Sequence, residues 1–113
     1  MSADCLFCRI LRREIPATIV AEDEHCVAFR DIGPQAPTHI LIVPRQHVST
    51  LDEVTDPLLI GRVMMMAANI ARSEKIVDSG YRTVINTNAG AGQTVFHLHV
   101  HLLGGRRMTW PPG

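Results

Sequence analysis

The sequence predicts an α+β domain built on an antiparallel β-sheet. Short β-prone segments and one helix-length segment follow one another in the order hairpin, strand, helix, strand, strand, which is typical of that class. The chain has 113 residues, enough for one hydrophobic core but too few for two ordinary domains. We therefore expect residues 1–113 to form a single domain.

The first half of the chain predicts a short helix, a hairpin and a buried strand. Residues 6–13 place apolar and basic side chains at near-helical spacing and stop before a proline, which disfavours a helical conformation in the residue before it. Residues 19–22 and 25–30 are β-prone and flank an acidic turn, so they predict a hairpin. A loop with one glycine and two prolines, residues 32–37, then leads to a predicted strand at residues 39–43.

A long helix follows. Asp56 and Pro57 have the residue types of an N-cap and a first helical position, and Ser79-Gly80 indicates the end, so we expect about six turns. The expected core face consists of Leu59, Ile60, Val63, Met64, Ala67, Ile70 and Ala71. The apolar surface is extended around the helix by Leu58, Met65, Met66 and Ala68. A helix that is apolar on two sides is buried on two sides, so we expect a dimer interface here; the alternative is an exposed methionine cluster.

A row of alternating histidines lies in the last predicted strand, residues 95–103. His97, His99 and His101 are half of the six histidines in the chain. Alternate residues of a strand share one face, so the three imidazoles lie about 6–7 Å apart and can act on one bound group. The opposite face is apolar and consists of Phe96, Leu98, Val100 and Leu102. Because imidazole titrates near pH 6.5, the row indicates nucleophilic or acid–base chemistry; the alternative is a polar, solvent-facing strand.

The loop at residues 87–94 connects this strand to another predicted strand at residues 81–86. Its glycines let the backbone approach a ligand closely, and its amide groups can point at an anion. Beside three histidines, we interpret the loop as a phosphate-contacting segment; the alternative is a flexible hairpin loop.

Composition argues against several classes of partner. The 11 basic and 11 acidic residues balance, so the chain has no electrostatic footprint for DNA, RNA or an anionic membrane. No run approaches the ~20 apolar residues of a membrane span, and the N-terminal segment lacks the pattern of a signal peptide. We expect a cytoplasmic protein.

The histidine segment resembles the histidine triad (HIT) motif, in which three histidines alternate with apolar residues. Other segments resemble the Hint branch of that superfamily, the histidine triad nucleotide-binding proteins: DIGPQAPTH (31–39), VPRQH (43–47), GQT (92–94), GGR (104–106) and WPPG (110–113). The resemblance covers essentially the whole chain. The last two segments distinguish this branch from the diadenosine polyphosphate hydrolases.

This resemblance implies a HIT-like fold: a five-stranded antiparallel sheet with one long and one short helix, dimerising into a continuous ten-stranded sheet. It also implies hydrolysis of purine nucleoside 5′-phosphoramidates to a nucleoside monophosphate and an amine, without a catalytic cofactor. His99 matches the nucleophile that becomes nucleotidylated, with its other ring nitrogen bonded to the carbonyl of His97. His101 matches a phosphate-contacting histidine, and Thr94 replaces a serine near the leaving group. His39 matches a fourth histidine beside the nucleophile.

The nucleotide pocket is likewise implied by the resemblance. Asp31 matches the carboxylate that binds the ribose hydroxyls. Positions around the ribose and phosphate match Asn86, Gly92 and Gln93, and the apolar walls of the base pocket match Phe7, Phe29 and Ile32. Arg30 stands where some relatives have histidine, and Trp110 is expected to reach the partner protomer's site.

A second site is predicted at the N-terminus. Cys5 and Cys8 have the spacing of a zinc half-site, and tetrahedral zinc needs two further ligands. Some bacterial relatives with this cysteine pair bind structural zinc with histidines that match His47 and His97. The alternative is a pair of reduced cysteines with a His47–His97 hydrogen bond behind the nucleophile. Zinc on the three motif histidines is disfavoured, because imidazoles 6–7 Å apart do not converge on ligand distances near 2 Å.

Two other functions stay open at this point. One is cleavage of dinucleoside polyphosphates. The other is a nucleotide-binding dimer that acts mainly by docking on another protein, with catalysis incidental.

Overall fold

The computed structural model describes residues 5–113 and contains a five-stranded sheet with two α-helices. The elements are α1 (Leu6–Leu11), β1 (Ile19–Glu22), β2 (Cys26–Arg30), β3 (Thr38–Pro44), α2 (Pro57–Ser73), β4 (Tyr81–Val84) and β5 (Val100–Gly104). The strand order is β1-β2-β3-β5-β4, and every neighbouring pair is antiparallel. The predicted five-stranded antiparallel sheet with one long and one short helix is confirmed.

The two faces of the sheet carry different layers. In β3, Ile40 and Ile42 pack with α2 in the main hydrophobic core. Leu41 and Val43 point to the opposite face and pack with α1 in a second cluster. Because side chains alternate along a strand, His39 lies on the α1 side, and this is the face on which the site is built.

The helix α2 begins as predicted, with Asp56 as N-cap accepting a hydrogen bond from the Leu58 amide at 2.9 Å. Its predicted end near residue 79 is wrong, because the helix ends at Ser73. Lys75 adopts φ 60°, and the Ile76 amide bonds back to the Ala71 carbonyl at 3.1 Å. This is the Schellman geometry that usually has glycine in the left-handed position, so the sequence lacked the usual signal.

Only part of the apolar surface of α2 that lies outside its expected core face is exposed. Leu58 and Met65 are each 59% exposed, whereas Met66 is buried in the core between α2 and the sheet. Ala68 is half-buried. Within residues 5–113, no helix is long and apolar enough to cross a membrane.

The histidine segment is a regular strand only from Val100 onward, so the prediction that it begins at residue 95 is wrong. Continuing the β3–β5 register would place Leu98 opposite Pro44, which has no N–H to donate. Instead, the Leu98 amide donates to the Val48 carbonyl at 2.7 Å, and His97 Nε2 donates to the Pro44 carbonyl at 2.8 Å. Leu98, Val100 and Leu102 are buried as expected, but Phe96 is 45% exposed.

Candidate active site

His99 is held in one tautomer by the main chain. Its Nδ1 lies 2.7 Å from the His97 carbonyl oxygen, and because a carbonyl only accepts, Nδ1 carries the proton. In the neutral ring, Nε2 then keeps a free lone pair. Burial lowers the pKa of His99 below its usual value, an effect opposed by the His97 carbonyl and by the charge of Asp31. The ring is therefore neutral at pH 7 and has the form that a nucleophile requires.

A chain of hydrogen bonds also fixes the tautomer of His101. The Gln35 amide donates to His39 Nδ1 at 3.0 Å, so the proton of neutral His39 is on Nε2. That Nε2 lies 2.9 Å from His101 Nδ1, which must accept. His101 therefore carries its proton on Nε2 and is a hydrogen-bond donor at that atom. The ring of His39 contacts His101, the next histidine of the row after His99.

Both of these histidines are neutral near pH 7. Burial lowers the pKa of His101 to about 4, with further contributions from the nearby rings of His99 and His39. Burial also lowers the pKa of His39, and the charge of Asp31 opposes this shift.

Asp31 lies directly after β2, beside the histidines. Its Oδ1 accepts a hydrogen bond from the Gly33 amide at 2.8 Å, and its Oδ2 lies 3.4 Å from His39 Nε2. The amide of Asp31 donates to the His39 carbonyl at 3.0 Å, so β3 fixes the position of this carboxylate next to the imidazoles.

A cleft of about 270 Å³ opens between α1, the end of β2 and the histidines. Seven of the predicted site residues line it: Phe7, Phe29, Asp31, Ile32, Thr94, His99 and His101. Phe7 contacts the rings of Phe29 and His99 edge to face, with centroids 5.4 and 5.0 Å apart. Ile32 is fully exposed at the rim.

The sequence interpretation missed part of the apolar wall. Additional lining residues are Leu6, Ile10, Ile15, Pro16, Ala17, Leu41 and Val95. Ile10 follows Phe7 by three positions on α1, so the helical spacing was a usable signal for it. The loop after α1 carried no comparable signal.

Three of the residues that were expected near the ribose and phosphate do not line the cleft. The amide of Gln93 is buried and holds the loop, because it donates to the Ser49 and Val95 carbonyls and accepts from the Asn88 amide. Its side chain is thus committed to the protein. Gly92 is exposed and adopts φ 98°, and Asn86 is half-buried. Within residues 5–113, the residues that line the cleft do not include these three positions.

Two further residues lie at or beyond the edge of the cleft. Trp110 is 80% exposed and lies outside the cleft, with the Arg82 guanidinium 6.0 Å from its ring centroid. Arg30 borders the cleft, but its guanidinium binds Glu74 after the end of α2, at 3.1 Å. That ion pair holds the guanidinium against Glu74.

Cys5, Cys8, His47 and His97 form a thiol–imidazole cluster behind the nucleophile, with all four ligand atoms within 4.8 Å of one another. His97 Nδ1 lies 3.4 Å from Cys5 Sγ, 3.6 Å from Cys8 Sγ and 3.2 Å from His47 Nδ1. Tetrahedral zinc, with bonds of about 2.3 Å to sulfur and 2.0–2.1 Å to nitrogen, separates such donors by about 3.3–3.6 Å. The four residues therefore fit a zinc ion in both number and spacing.

The protonation of His97 also suits a metal ligand. Its Nε2 donates to the Pro44 carbonyl, so its Nδ1 has a free lone pair directed at the thiols. Burial lowers the pKa of His97 to about 4, which keeps the ring neutral, while burial and Cys5 raise the pKa of the Cys8 thiol.

A second cluster of possible ligands does not suit a metal. Asp31, His39 and His101 also lie within 4.8 Å of one another. However, the Gln35 amide occupies His39 Nδ1, so the Nε2 atom that faces the cluster carries a proton. Zinc shared by the three motif histidines is also disfavoured, because His97 directs its lone pair to the thiols and the lone pair of His101 Nδ1 is occupied by His39 Nε2.

Comparison with known proteins agrees with this geometry. The family model of the HIT domain matches residues 12–108. The purine nucleoside phosphoramidase of Escherichia coli is 49% identical over 108 residues, covering 94% of this chain and 91% of that protein. An uncharacterized HIT-like protein of Synechococcus elongatus is 54% identical over the full length of both chains.

Solved structures give the same result. A HIT family hydrolase from Legionella pneumophila superposes with a TM-score of 0.95 at 53% sequence identity, covering 97% of this chain and all of the other. The resemblance in the histidine segment is thus confirmed by sequence and by fold, and the chain belongs to the HIT domain family.

Proposed function

We propose that this protein hydrolyses purine nucleoside 5′-phosphoramidates to a nucleoside monophosphate and an amine. The observation that carries the proposal is the 2.7 Å contact between His99 Nδ1 and the His97 carbonyl, which leaves Nε2 as a neutral nucleophile. The 49% identity to a purine nucleoside phosphoramidase supports this substrate class.

In the first step, His99 Nε2 attacks the α-phosphorus and the bond from phosphorus to the amine nitrogen breaks. The electron pair of that bond leaves with the amine, which takes up a proton. The nucleotidylated imidazole is cationic, and its Nδ1 proton remains bonded to the His97 carbonyl, which stabilises the charge. Water then attacks phosphorus, the bond to Nε2 breaks, a proton is lost and neutral His99 is restored.

His101 is the proposed stabiliser of the phosphoryl oxygens. Its Nε2 proton is fixed by the hydrogen bond from His39 to its Nδ1, so no reorientation is needed as charge develops on the phosphate. Thr94 also lines the cleft, and its hydroxyl is proposed to act near the leaving amine.

The nucleoside is proposed to occupy the apolar part of the cleft. Its proposed walls around a purine base are Phe7, Phe29 and Ile32, and the proposed acceptor for the ribose hydroxyls is Asp31, which also lines the cleft. The side-chain amide of Gln93 is already bonded within the loop, so its proposed contribution is to hold that loop in position. Asn86 and Gly92 lie outside the cleft lining, and any nucleotide contact from them is proposed through the loop backbone.

A structural zinc ion is proposed at the thiol–imidazole cluster, held by Cys5, Cys8, His47 and His97. Zinc in such a closed set of four protein ligands stabilises the fold and supplies no open position for substrate. The catalytic steps above therefore need no metal or other cofactor.

A homodimer is also proposed. The strand β4 is at an edge of the sheet, and edge strands can pair with another chain. Leu58 and Met65 add exposed apolar surface on α2. Joining two sheets at their edges would give ten strands, and Trp110 is free to reach a second protomer. Light scattering that shows a monomer at micromolar concentration would contradict this assembly.

The test of the function is release of AMP from adenosine 5′-phosphoramidate by the wild-type protein and by His99→Ala. We expect release by wild type alone, with AMP binding kept in the variant. Equal turnover in the two proteins contradicts the role of His99. Faster cleavage of a diadenosine polyphosphate than of the phosphoramidate contradicts the substrate class.

A further inference from the structure

We infer that the thiol–imidazole cluster controls the nucleotide cleft, so that the metal state of Cys5, Cys8, His47 and His97 sets nucleotide affinity and the position of the nucleophile. The inference deepens the proposed function and rests on it for nucleotide as the ligand of the cleft, but its test does not depend on the proposed reaction. Nucleotide binding tests it independently, because binding does not require turnover.

The first connection runs through His97. Its ring is fully buried and lies between the thiols on one side and the Pro44 carbonyl on the other. The carbonyl of the same residue accepts the Nδ1 proton of His99 at 2.7 Å. Because the ring and the carbonyl belong to one residue, the contacts that hold the His97 ring also constrain the group that fixes the tautomer and direction of the nucleophile.

The second connection runs through α1. Cys5 is the N-cap of this helix and Cys8 is in its first turn, while Phe7 between them contacts the rings of His97, His99 and Phe29. Six residues are far too few for a helix to be stable alone. The position of Phe7, and with it one wall of the cleft, is thus set jointly by its packing in the second cluster and by what the two thiols bind.

Zinc coordination and thiol hydrogen bonds hold α1 with very different strength. A thiol is a weak hydrogen-bond donor, whereas a thiolate bound to zinc is fixed in distance and direction. Loss of the metal is expected to loosen Phe7 and the His97 carbonyl together. Phe7 and His99 both line the cleft, so loss of the metal is expected to affect the apolar wall proposed for the base and the proposed nucleophile together.

The experiment measures AMP affinity by calorimetry for the zinc-loaded protein, the chelator-treated protein and Cys8→Ser. Cys26→Ala is the matched control, because Cys26 is buried on the α2 side of the sheet and lies outside the cluster. We expect AMP binding to weaken about fivefold or more in the metal-free protein and in Cys8→Ser, but not in Cys26→Ala. Equal AMP affinity in folded metal-free and zinc-loaded protein, with only a lower melting temperature, overturns the inference.

If the metal-free protein does not stay folded by circular dichroism, the zinc-loaded and cadmium-loaded proteins are compared instead. Cadmium forms longer bonds to sulfur, so it displaces the cysteines and His97 while the protein remains loaded. We expect a changed AMP affinity and a shifted ¹⁵N resonance of His99 Nδ1. Identical AMP affinity and an unshifted resonance overturn the inference. If AMP affinity changes with the metal but the protein releases no AMP from the phosphoramidate, only the proposed reaction is contradicted.

Discussion

His39 Nε2 lies 2.9 Å from His101 Nδ1, across the paired strands β3 and β5. Because the Gln35 amide occupies the other nitrogen of His39, this single contact decides which nitrogen of His101 faces the cleft with a proton. In the proposed reaction, His39 thus acts through a neighbouring ring.

The first prediction concerns this contact. We expect His39→Ala to lower kcat by up to about 100-fold with a smaller change in KM, because His101 loses its fixed tautomer and orientation. His39→Gln can donate an amide N–H to His101 Nδ1 and should recover part of the loss. Steady-state kinetics of the two variants check this, and equal losses would show that the role of His39 is only packing.

The second prediction concerns stability and pH. Burial and neighbouring imidazoles lower the pKa of His101 from 6.5 to about 4 in the folded protein. Between these values the unfolded chain binds more protons, so the free energy of unfolding decreases as the pH falls from 6.5 to 4. A fully desolvated His101 would contribute about 3 kcal/mol to this decrease; because the ring is only partly buried, we expect about 1–2 kcal/mol, fully present above pH 6.5. Urea unfolding from pH 7 to 4 should show the decrease, with a shallower slope for His101→Gln.

The third prediction contrasts two glycines. A Cβ atom at Gly104 would lie 2.6 Å from Ile76 Cδ1, so we expect Gly104→Ala to lower the free energy of unfolding by about 1–3 kcal/mol. At Gly61, within α2, none of the described atoms outside its own helical turns lies within 4 Å of such a Cβ. Gly61→Ala should therefore raise stability by about 0.5–1 kcal/mol. Urea denaturation of both variants checks the difference in sign.

The fourth prediction concerns the end of α2. Lys75 adopts φ 60°, where a side chain is disfavoured and glycine is not. We expect Lys75→Gly to raise the free energy of unfolding by about 1 kcal/mol. Lys75→Ala is the control, because it removes the charge and keeps the Cβ atom. A gain in stability from the alanine variant equal to that from glycine would contradict the backbone explanation.

The residue pattern was sufficient for an antiparallel sheet, the start of α2 and the row of His99 and His101, whereas the place of Asp31 in the same cleft was predicted from the resemblance. Strand and helix periods are local properties, so they can be recognised without knowledge of tertiary contacts. The N-terminal cysteines and His47 were linked to His97 by resemblance, and the structure brings all four together.

The remaining features depend on contacts distant in sequence. The start of β5 at Val100 follows from Pro44 opposite Leu98, which is a property of strand register. The side-chain amide of Gln93 holds its loop by donating to the carbonyl of Ser49, which is 44 positions away in the sequence. The end of α2 has the hydrogen bonds of a glycine-type cap with a lysine in its place, so a pattern based on residue type could not identify it.

The alternation within β2 and β3 separates two kinds of mutational effect. Phe29 and Leu41 line the cleft, whereas the residues beside them, Ala28 and Ile42, are fully buried against α2. A library that varies only the cleft-facing positions of these strands leaves the core against α2 intact and perturbs only the smaller cluster with α1. The proposed ligand preference and the main core can therefore be varied on opposite sides of the same strands.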